Sequence, residues 1–367
     1  MKENSFRLKK LDWYIIKKFI GTYLFCFLVI ITVVIIVDIS EKIDNFVDHN
    51  VSLYEIVFDY YLNFIPHIMN MFSPLFVFIT VIFFTSKLAG NSEIIAMLSG
   101  GVSFHRLMVP YLVSAAFVAL LSWTLGMYVI PHANGVRLDF EQKYIENTRI
   151  FSAGRNIHYQ ISPTDYVYAE SFSSWNNTIY SFTLESMEDF KIKSKLSAEI
   201  AKWDTTFNGW QLSNCVIRDY DEHGNSTVTV KSSIDTIIPL TLEDFYRRRS
   251  VVETLNNKDL KALMKLQRSR GDKLVKYGMM ERNKRYSMPF SAFILTIMGV
   301  SLSSKKRRGG LGLNIGIGLA LSFSYILFMR FSEMFVHTDT LSPFAAIWLP
   351  NMIFAIVAVF LYRLAPK

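Results

Sequence analysis

Charge is scarce in this sequence. Asp, Glu, Lys and Arg make up only 19% of its 367 residues, against 51% hydrophobic ones. That balance is too apolar for a water-soluble chain of this length and makes a membrane protein the leading class. Cysteine is nearly absent. Cys26 falls in an apolar run and Cys215 in a polar stretch, so no disulfide framework is available. The motifs of nucleotide and metal chemistry are missing as well. There is no Gly-x-x-x-x-Gly-Lys-Ser/Thr loop for ATP, no Gly-x-Gly-x-x-Gly opening a helix and no Gly-x-Ser-x-Gly elbow. The seven histidines show no spacing that suggests a metal site. Catalysis, a resident cofactor and a nucleic-acid partner are therefore not expected of this chain.

Six uncharged runs are present, each long enough to cross a bilayer: Phe19–Val37, Tyr60–Ser86, Leu107–Pro131, Tyr286–Ser304, Gly309–Met329 and Thr340–Tyr362. The shortest would rise about 28 Å as a helix, close to the thickness of a hydrocarbon core. Pro66 and Pro74 are positioned to kink the second, and Ser342-Pro343 reads as the start of the last. The first run is too long for a signal-peptide core, so it reads as a retained span. Lys2, Arg7, Lys9, Lys10, Lys17 and Lys18 precede span one, Lys305–Arg308 joins spans four and five, and Arg363 and Lys367 follow span six. The loop from Asp38 to Asp59 is acidic, with Lys42 as its one base. The positive-inside rule then puts both termini in the cytosol. The basic stretch from Arg247 to Arg285 does not oppose this, because it belongs to a long translocated segment, which escapes the rule.

That segment, about His132 to Lys284, reads as an extracytoplasmic β domain. Seven short strands are predicted: Asn156–Ile161, Asp165–Phe172, Thr178–Leu184, Ala198–Asp204, Trp210–Asp219, Thr227–Lys231 and Asp235–Leu240. Turn signals such as Ser162-Pro163, Trp175-Asn176-Asn177, Asn208-Gly209 and His223-Gly224-Asn225 separate them. Short strands at this spacing suggest a sandwich or jelly roll. Tyr166, Tyr168, Tyr180 and Phe182 alternate with other residues and would share one face, either a plain core or an apolar groove. Lys258 to Arg282 reads as one connecting helix capped by Asn256 or Asn257. The fold class is thus a polytopic membrane protein of six transmembrane helices with an inserted all-β domain. Its parts are an N-terminal half (1–131), a β domain (132–257), a connecting helix (258–285) and a C-terminal half (286–367).

Two groups of polar residues invite a functional reading. Between spans two and three, Asn91-Ser92-Glu93 reads as a helix start with Ser92 as cap. Glu93 lies in the first turn, where the helix dipole favours it, and Gly100-Gly101 is the stop. This short helix is either an ordinary loop or a docking element for a cytosolic partner. At the opposite membrane surface, Lys42, Arg137, Arg282, Arg285 and Arg330 are predicted at one level, where a ring of cations would attract lipid phosphates. Arg330 and Glu333 stand one turn apart, as an ion pair would. In span five, Gly312-x-x-x-Gly316 permits a close helix or subunit seam.

The layout and several strings together resemble the LptF/LptG permeases, the membrane subunits of the ABC-type lipopolysaccharide exporter of Gram-negative bacteria. The strings are Asn91-Ser92-Glu93-Ile94-Ile95-Ala96-Met97-Leu98-Ser99-Gly100 followed by Ser103 and Pro110, then Ala198–Trp203 with Gly209-Trp210-x-Leu212, and Trp348-Leu349-Pro350-Asn351. The resemblance covers essentially the whole chain and implies a periplasmic β-jelly roll between spans three and four. It implies a half-transporter that extracts lipopolysaccharide from the outer leaflet of the inner membrane and passes it to a periplasmic bridge. The implied partners are an LptB-like cytosolic ATPase that binds ATP and Mg, a second permease of the same type and an LptC-like single-span protein. Glu93, Ala96, Met97, Leu98 and Gly100 would form the ATPase-coupling helix. Lys42, Arg137, Arg282, Arg285 and Arg330 are candidates for headgroup contacts, and Tyr166, Tyr168, Tyr180 and Phe182 for an acyl-chain groove. Two features depart from the family pattern: Leu98 stands where a polar residue is frequent, and only Lys42 offers a base at the outer end of span one. A receptor or scaffold with no transport cycle is the alternative. A transmission-type ABC subunit fits less well, since that type has four spans with its domain after the first.

Overall fold

The computed structural model describes residues 9–145, 156–173, 176–188, 191–221, 224–246, 251–272, 274–304 and 310–365. Lys2, Arg7, Trp175, His223, the Lys305–Arg308 run and Lys367, all used in the sequence reading, lie outside them. Two compact units are formed. One is Met1–Glu141 with Glu253–Asn257 and Met279–Lys367; the other is Gln142–Val252 with Lys258–Gly278.

The first unit is helical, and six of its helices are long and apolar enough to cross a membrane. Helix α1 is Lys10–Asp48. A π-helical turn, Glu55–Tyr61, runs into α2, Leu62–Met71, and α3 is Ser73–Gly90. The second predicted run therefore breaks at Phe72, with Pro74 in the first turn of α3, where its missing N–H costs nothing. After the short α4 (Glu93–Ser99) comes α5, Phe104–Thr124, which passes through a π turn, Leu125–Val129, into α6, Ile130–Tyr144. The helix thus continues beyond the expected end at Pro131. Pro131 stands in the first turn of α6, directly after the π turn.

Helix α3 is the axis of the unit. Its hydrophobic window is 78% buried, against 11% for α1. One side meets Ile15, Phe19 and Tyr23 of α1 and Tyr111 of α5 through Phe76, Val77 and Phe84. The other, through Phe78 and Ile82, meets α10 (Val275–Ser303), α11 (Gly310–His337) and α12 (Pro343–Leu364) at Leu295, Met298, Tyr325 and Phe354. Close approach needs glycine at two points. A Cβ on Gly299 would lie 2.7 Å from Val81, and one on Gly318 would collide with Ile82. Gly312 and Gly316, the pair predicted for a seam, have open space around them, so Gly318 makes the intrachain seam. In α12, Pro350 cannot donate to the Ala346 carbonyl, and Ser332 Oγ fills that vacancy at 2.5 Å. Ser342 caps α12 through Ala345 N, as the sequence suggests.

The second unit holds the inserted all-β domain, a six-stranded antiparallel sheet: β1 Ile157–Gln160, β2 Asp165–Ser173, β3 Thr178–Glu188, β4 Lys191–Asp204, β5 Gly209–Tyr220 and β6 Ser226–Thr236. Strand β6 takes in the predicted Thr227–Lys231 strand and the first two residues of the predicted Asp235–Leu240 strand; residues 237–240 are not strand. The strands lie in chain order, each turning back on its predecessor through a short link, which pairs neighbours without a Greek-key crossover. The inward face carries Val167, Phe182, Ala198, Trp210 and Leu212 and is covered by Phe245 of α7, Leu242–Tyr246. Trp210 is fully buried and donates Nε1–H to the Leu240 carbonyl at 2.8 Å.

Beyond α8, Val251–Thr254, the predicted connecting helix is two helices. Helix α9, Asn257–Ser269, ends where Gly271 takes φ +64°, with Gly271 N bonded to Arg268 O and Asp272 N to Gln267 O. This is a glycine stop of the Schellman type. Asp272 Oδ1 then accepts from Leu274 N just before α10 begins.

Candidate functional site

At the end of the helical unit that carries the last residues of α12, α4 is held from both sides. Ser92 does not cap it. Ser92 has φ +62°, and its N–H bonds Ala89 O, so it terminates α3 in the left-handed region, whereas an N-cap needs extended backbone. Glu93 is held in place instead: Asn91 Nδ2 donates to it at 3.1 Å and Tyr14 OH at 3.3 Å. The stop is as expected. Gly101 has φ +85°, with Gly101 N on Leu98 O and Val102 N on Met97 O. Ile94 is fully buried, and Met97 and Leu98 lie half-buried against the same core. Ile95, Ala96, Ser99 and Gly100 are left exposed. Of the five residues predicted for coupling, Ala96 and Gly100 face outward, Glu93 is half-buried, and Met97 and Leu98 serve as anchors. Beside α4, Arg106 grips Asp12 with two bonds of 2.9 and 2.5 Å, tying α5 to α1.

At the opposite end lies a cleft of about 220 Å³ lined by α2, α3, α6, α10 and α11 together with Glu253. Three bases (Lys284, Arg285, Arg330) and three carboxylates (Glu253, Glu281, Glu333) share it with His67, Asn70 and Asn134. The predicted ring of cations is only partly assembled here. Arg285 and Arg330 line the cleft; Lys42, Arg137 and Arg282 do not. Lys42 pairs with Asp38 at 2.8 Å, bonds Tyr60 OH and sits over that ring. Arg137 lies 3.9 Å from Glu141. Arg285, its side chain 2% exposed, pairs with Glu281 at 2.8 Å. Arg330 is 55% exposed, 3.6 Å from Glu333. Lys284, which the sequence reading passed over, pairs with Glu333 at 3.0 Å. Helical spacing was the available signal: 281, 284, 285 and 288 form one stripe, and Arg282 lies off it. Burial, then the charge of Glu281, pushes the Glu253 carboxyl above its usual range.

In the β domain, the four aromatic residues predicted to share a face are divided. Phe182 is fully buried, while Tyr166 and Tyr180 are exposed and Tyr168 is partly so. Register parts Tyr166 and Tyr168 from Phe182, which pairs with Ala169, and a crease across the sheet parts Tyr180 from it. Buried positions run Val167, Ala169, then Phe172 in β2; Phe182 then Ile179 in β3; Ala198 then Ala201 in β4; and Cys215 then Leu212 in β5. Each strand slips by one where Glu170, Ser181, Glu199 and Asn214 align. Ser181 and Asn214 hold φ of +52° and +54°, which resets the alternation without changing the pairing register. The continuous apolar surface is the inward one, with Phe182, Leu184, Leu196 and Ala198.

No curated protein matches this chain. A family model does, over residues 13–364, and its description is "Lipopolysaccharide export system permease LptF/LptG". The match takes in the six apolar helices, the inserted sheet, α4 and the cleft alike. The chain therefore belongs to the LptF/LptG family of lipopolysaccharide export permeases, multi-pass membrane proteins.

Proposed function

We propose that this chain is one membrane half of an ABC-type exporter that draws lipopolysaccharide from the outer leaflet of the bacterial inner membrane and hands it to a periplasmic bridge. The observation that carries this reading is α4. It is a short helix anchored by Ile94 and stopped by Gly101, and it leaves Ile95, Ala96 and Ser99 free for a partner beside a restrained Glu93. An LptB-like ATPase, which would bind the ATP and Mg, docks there. Movement of α4 reaches α1 through Tyr14 and through the neighbouring Asp12–Arg106 pair. Both termini and α4 are cytosolic on this reading, and the β domain is periplasmic, in keeping with the basic N-terminal tail and the acidic loop after α1. A second LptF/LptG-type permease and an LptC-like protein complete the assembly.

Substrate phosphates would meet Arg330 first, because its side chain is exposed, whereas Lys42, Arg137 and Arg285 are largely buried beside their carboxylate partners. Acyl chains would follow the inward face of the sheet at Phe182, Leu184 and Leu196, rather than Tyr166, Tyr168 and Tyr180 on the other side. Copurification of the ATPase tests the docking assignment. Glu93→Lys should abolish it, since charge reversal at an interface costs several kcal/mol; retention of the ATPase by this variant would count against α4. For the headgroup, Arg330→Glu should lower both substrate-stimulated ATP hydrolysis and export. Unchanged rates would remove Arg330 from the site.

A further inference from the structure

The cleft at the end of the helical unit opposite α4 is not a plain cationic pocket. Arg285 pairs through Nε with Glu281, and Lys284 with Glu333. The Arg330 guanidinium is the accessible base; apart from its 3.6 Å approach to Glu333 it reaches the Met71 sulfur at 3.0 Å, a weak acceptor. Its donors are available to an anion. Across the same cleft stand acceptors in need of donors. Glu253 makes no hydrogen bond or ion pair among the described residues, although Glu281, Lys284, Arg137 and Arg330 are near enough to act on its charge. Asn134 is fully buried, and its Oδ1 has no hydrogen-bond partner; its amide nitrogen lies 3.5 Å from His67 Nδ1. A buried amide oxygen left in this state is costly, and a bound donor would satisfy it.

An anion alone would leave Glu253 and Asn134 unsatisfied, and a cation alone would leave Arg330 idle. We propose that this cleft binds a phosphoethanolamine group, with its phosphate on Arg330 and its primary ammonium on Glu253 and Asn134. A quaternary choline ammonium has no N–H to give either acceptor, and a glycerol phosphate has no cation. The volume agrees. At about 220 Å³ the cleft falls below the ~300 Å³ at which drug-sized ligand pockets begin, so it suits a headgroup fragment and not a whole glycolipid. The inference rests on the reading that Arg330 meets a lipid phosphate at the membrane surface. Two sources carry this group: a bilayer phospholipid, or a phosphoethanolamine substituent on the exported glycolipid.

The test uses the assembled complex, delipidated and returned to nanodiscs of phosphatidylethanolamine, phosphatidylglycerol or phosphatidylcholine, with retained lipid counted by native mass spectrometry. Phosphatidylethanolamine should be retained at least fivefold better than the other two. Glu253→Gln and Arg330→Gln should each abolish that preference while the complex stays assembled. Lipopolysaccharide with and without a phosphoethanolamine substituent, offered in nanodiscs free of phosphatidylethanolamine, distinguishes the sources: preference for the substituted form assigns the site to substrate, and equal binding assigns it to bilayer lipid. Equal retention of all three phospholipids together with equal binding of both glycolipids overturns the proposal, as does a preference untouched by both variants. ATP-driven export measured alongside keeps the two readings apart. Export without headgroup discrimination overturns this inference alone, and discrimination without export overturns the transport reading.

Discussion

Asp12 and Arg106 stand 94 positions apart and meet as a two-pronged ion pair, with Asp12 4% exposed. Asp12→Ala leaves a cation that only partly reaches solvent, so a loss of about 3 kcal/mol is expected, toward the low end for broken buried pairs. Thermal unfolding in detergent reads it. Lys193→Ala, which removes an exposed partner of Glu188, should stay within about 0.5 kcal/mol. Two carboxyls make opposite pH predictions. Hydrogen bonds from Ser162 and Ser186 hold Asp165 below its ordinary value. Its contribution is therefore present above about pH 4 and is lost as pH falls through the lower folded value. Asp165→Asn should flatten the acid limb of the β domain's stability curve. Glu253 is raised, so its charge opposes folding at neutral pH and protonation relieves that; Glu253→Gln should raise the midpoint of unfolding at pH 7 in the absence of lipid. Residue partners of this kind were illegible in the sequence. Nothing local marks Asp12 for Arg106, whereas Arg330 and Glu333, one turn apart, could be read directly.

Elements were more legible than their junctions. Apolar run length gave the six spans because a bilayer fixes helix length, and Gly100-Gly101 gave the end of α4 because only a left-handed residue closes that bonding pattern. The start of α4 falls at Glu93 as expected, but its cap was misread, since Ser92 answers to α3 as well as to α4, and the earlier helix has the stronger claim on its backbone. The break at Gly271 carried the same signal as Gly101 but sat in a basic stretch that looked continuous. The β crease had no composition signal. Alternation assumes an unbroken pleat, and Ser181 and Asn214 break it with positive φ. Ser181→Val should destabilise the sheet by more than about 1–2 kcal/mol, as a β-branched residue tolerates the left-handed region poorly, while Asn214→Gly should be accepted. Urea unfolding of the full chain, followed by hydrogen exchange at the amides of the sheet, separates the two. In the helical unit, Gly299→Val should cost about 1–3 kcal/mol by overpacking against Val81.

For the whole molecule, scarce charge, six apolar helices and one inserted sheet describe a multi-pass membrane protein of a permease family. Its two polar regions lie at opposite ends of one helical unit, with α3 running between them as the most buried span. The family assignment supplies lipopolysaccharide export, and α4 is where the proposed ATPase would dock. The most direct test is ATP-dependent release of lipopolysaccharide from proteoliposomes holding this chain, a second LptF/LptG-type permease, the LptC-like protein and the cytosolic ATPase, compared for wild type and Glu93→Lys. ATP-dependent release is expected of the wild type, and of Glu93→Lys an intact permease pair with no bound ATPase and no release. Release by Glu93→Lys at the wild-type rate would rule out α4 as the docking helix.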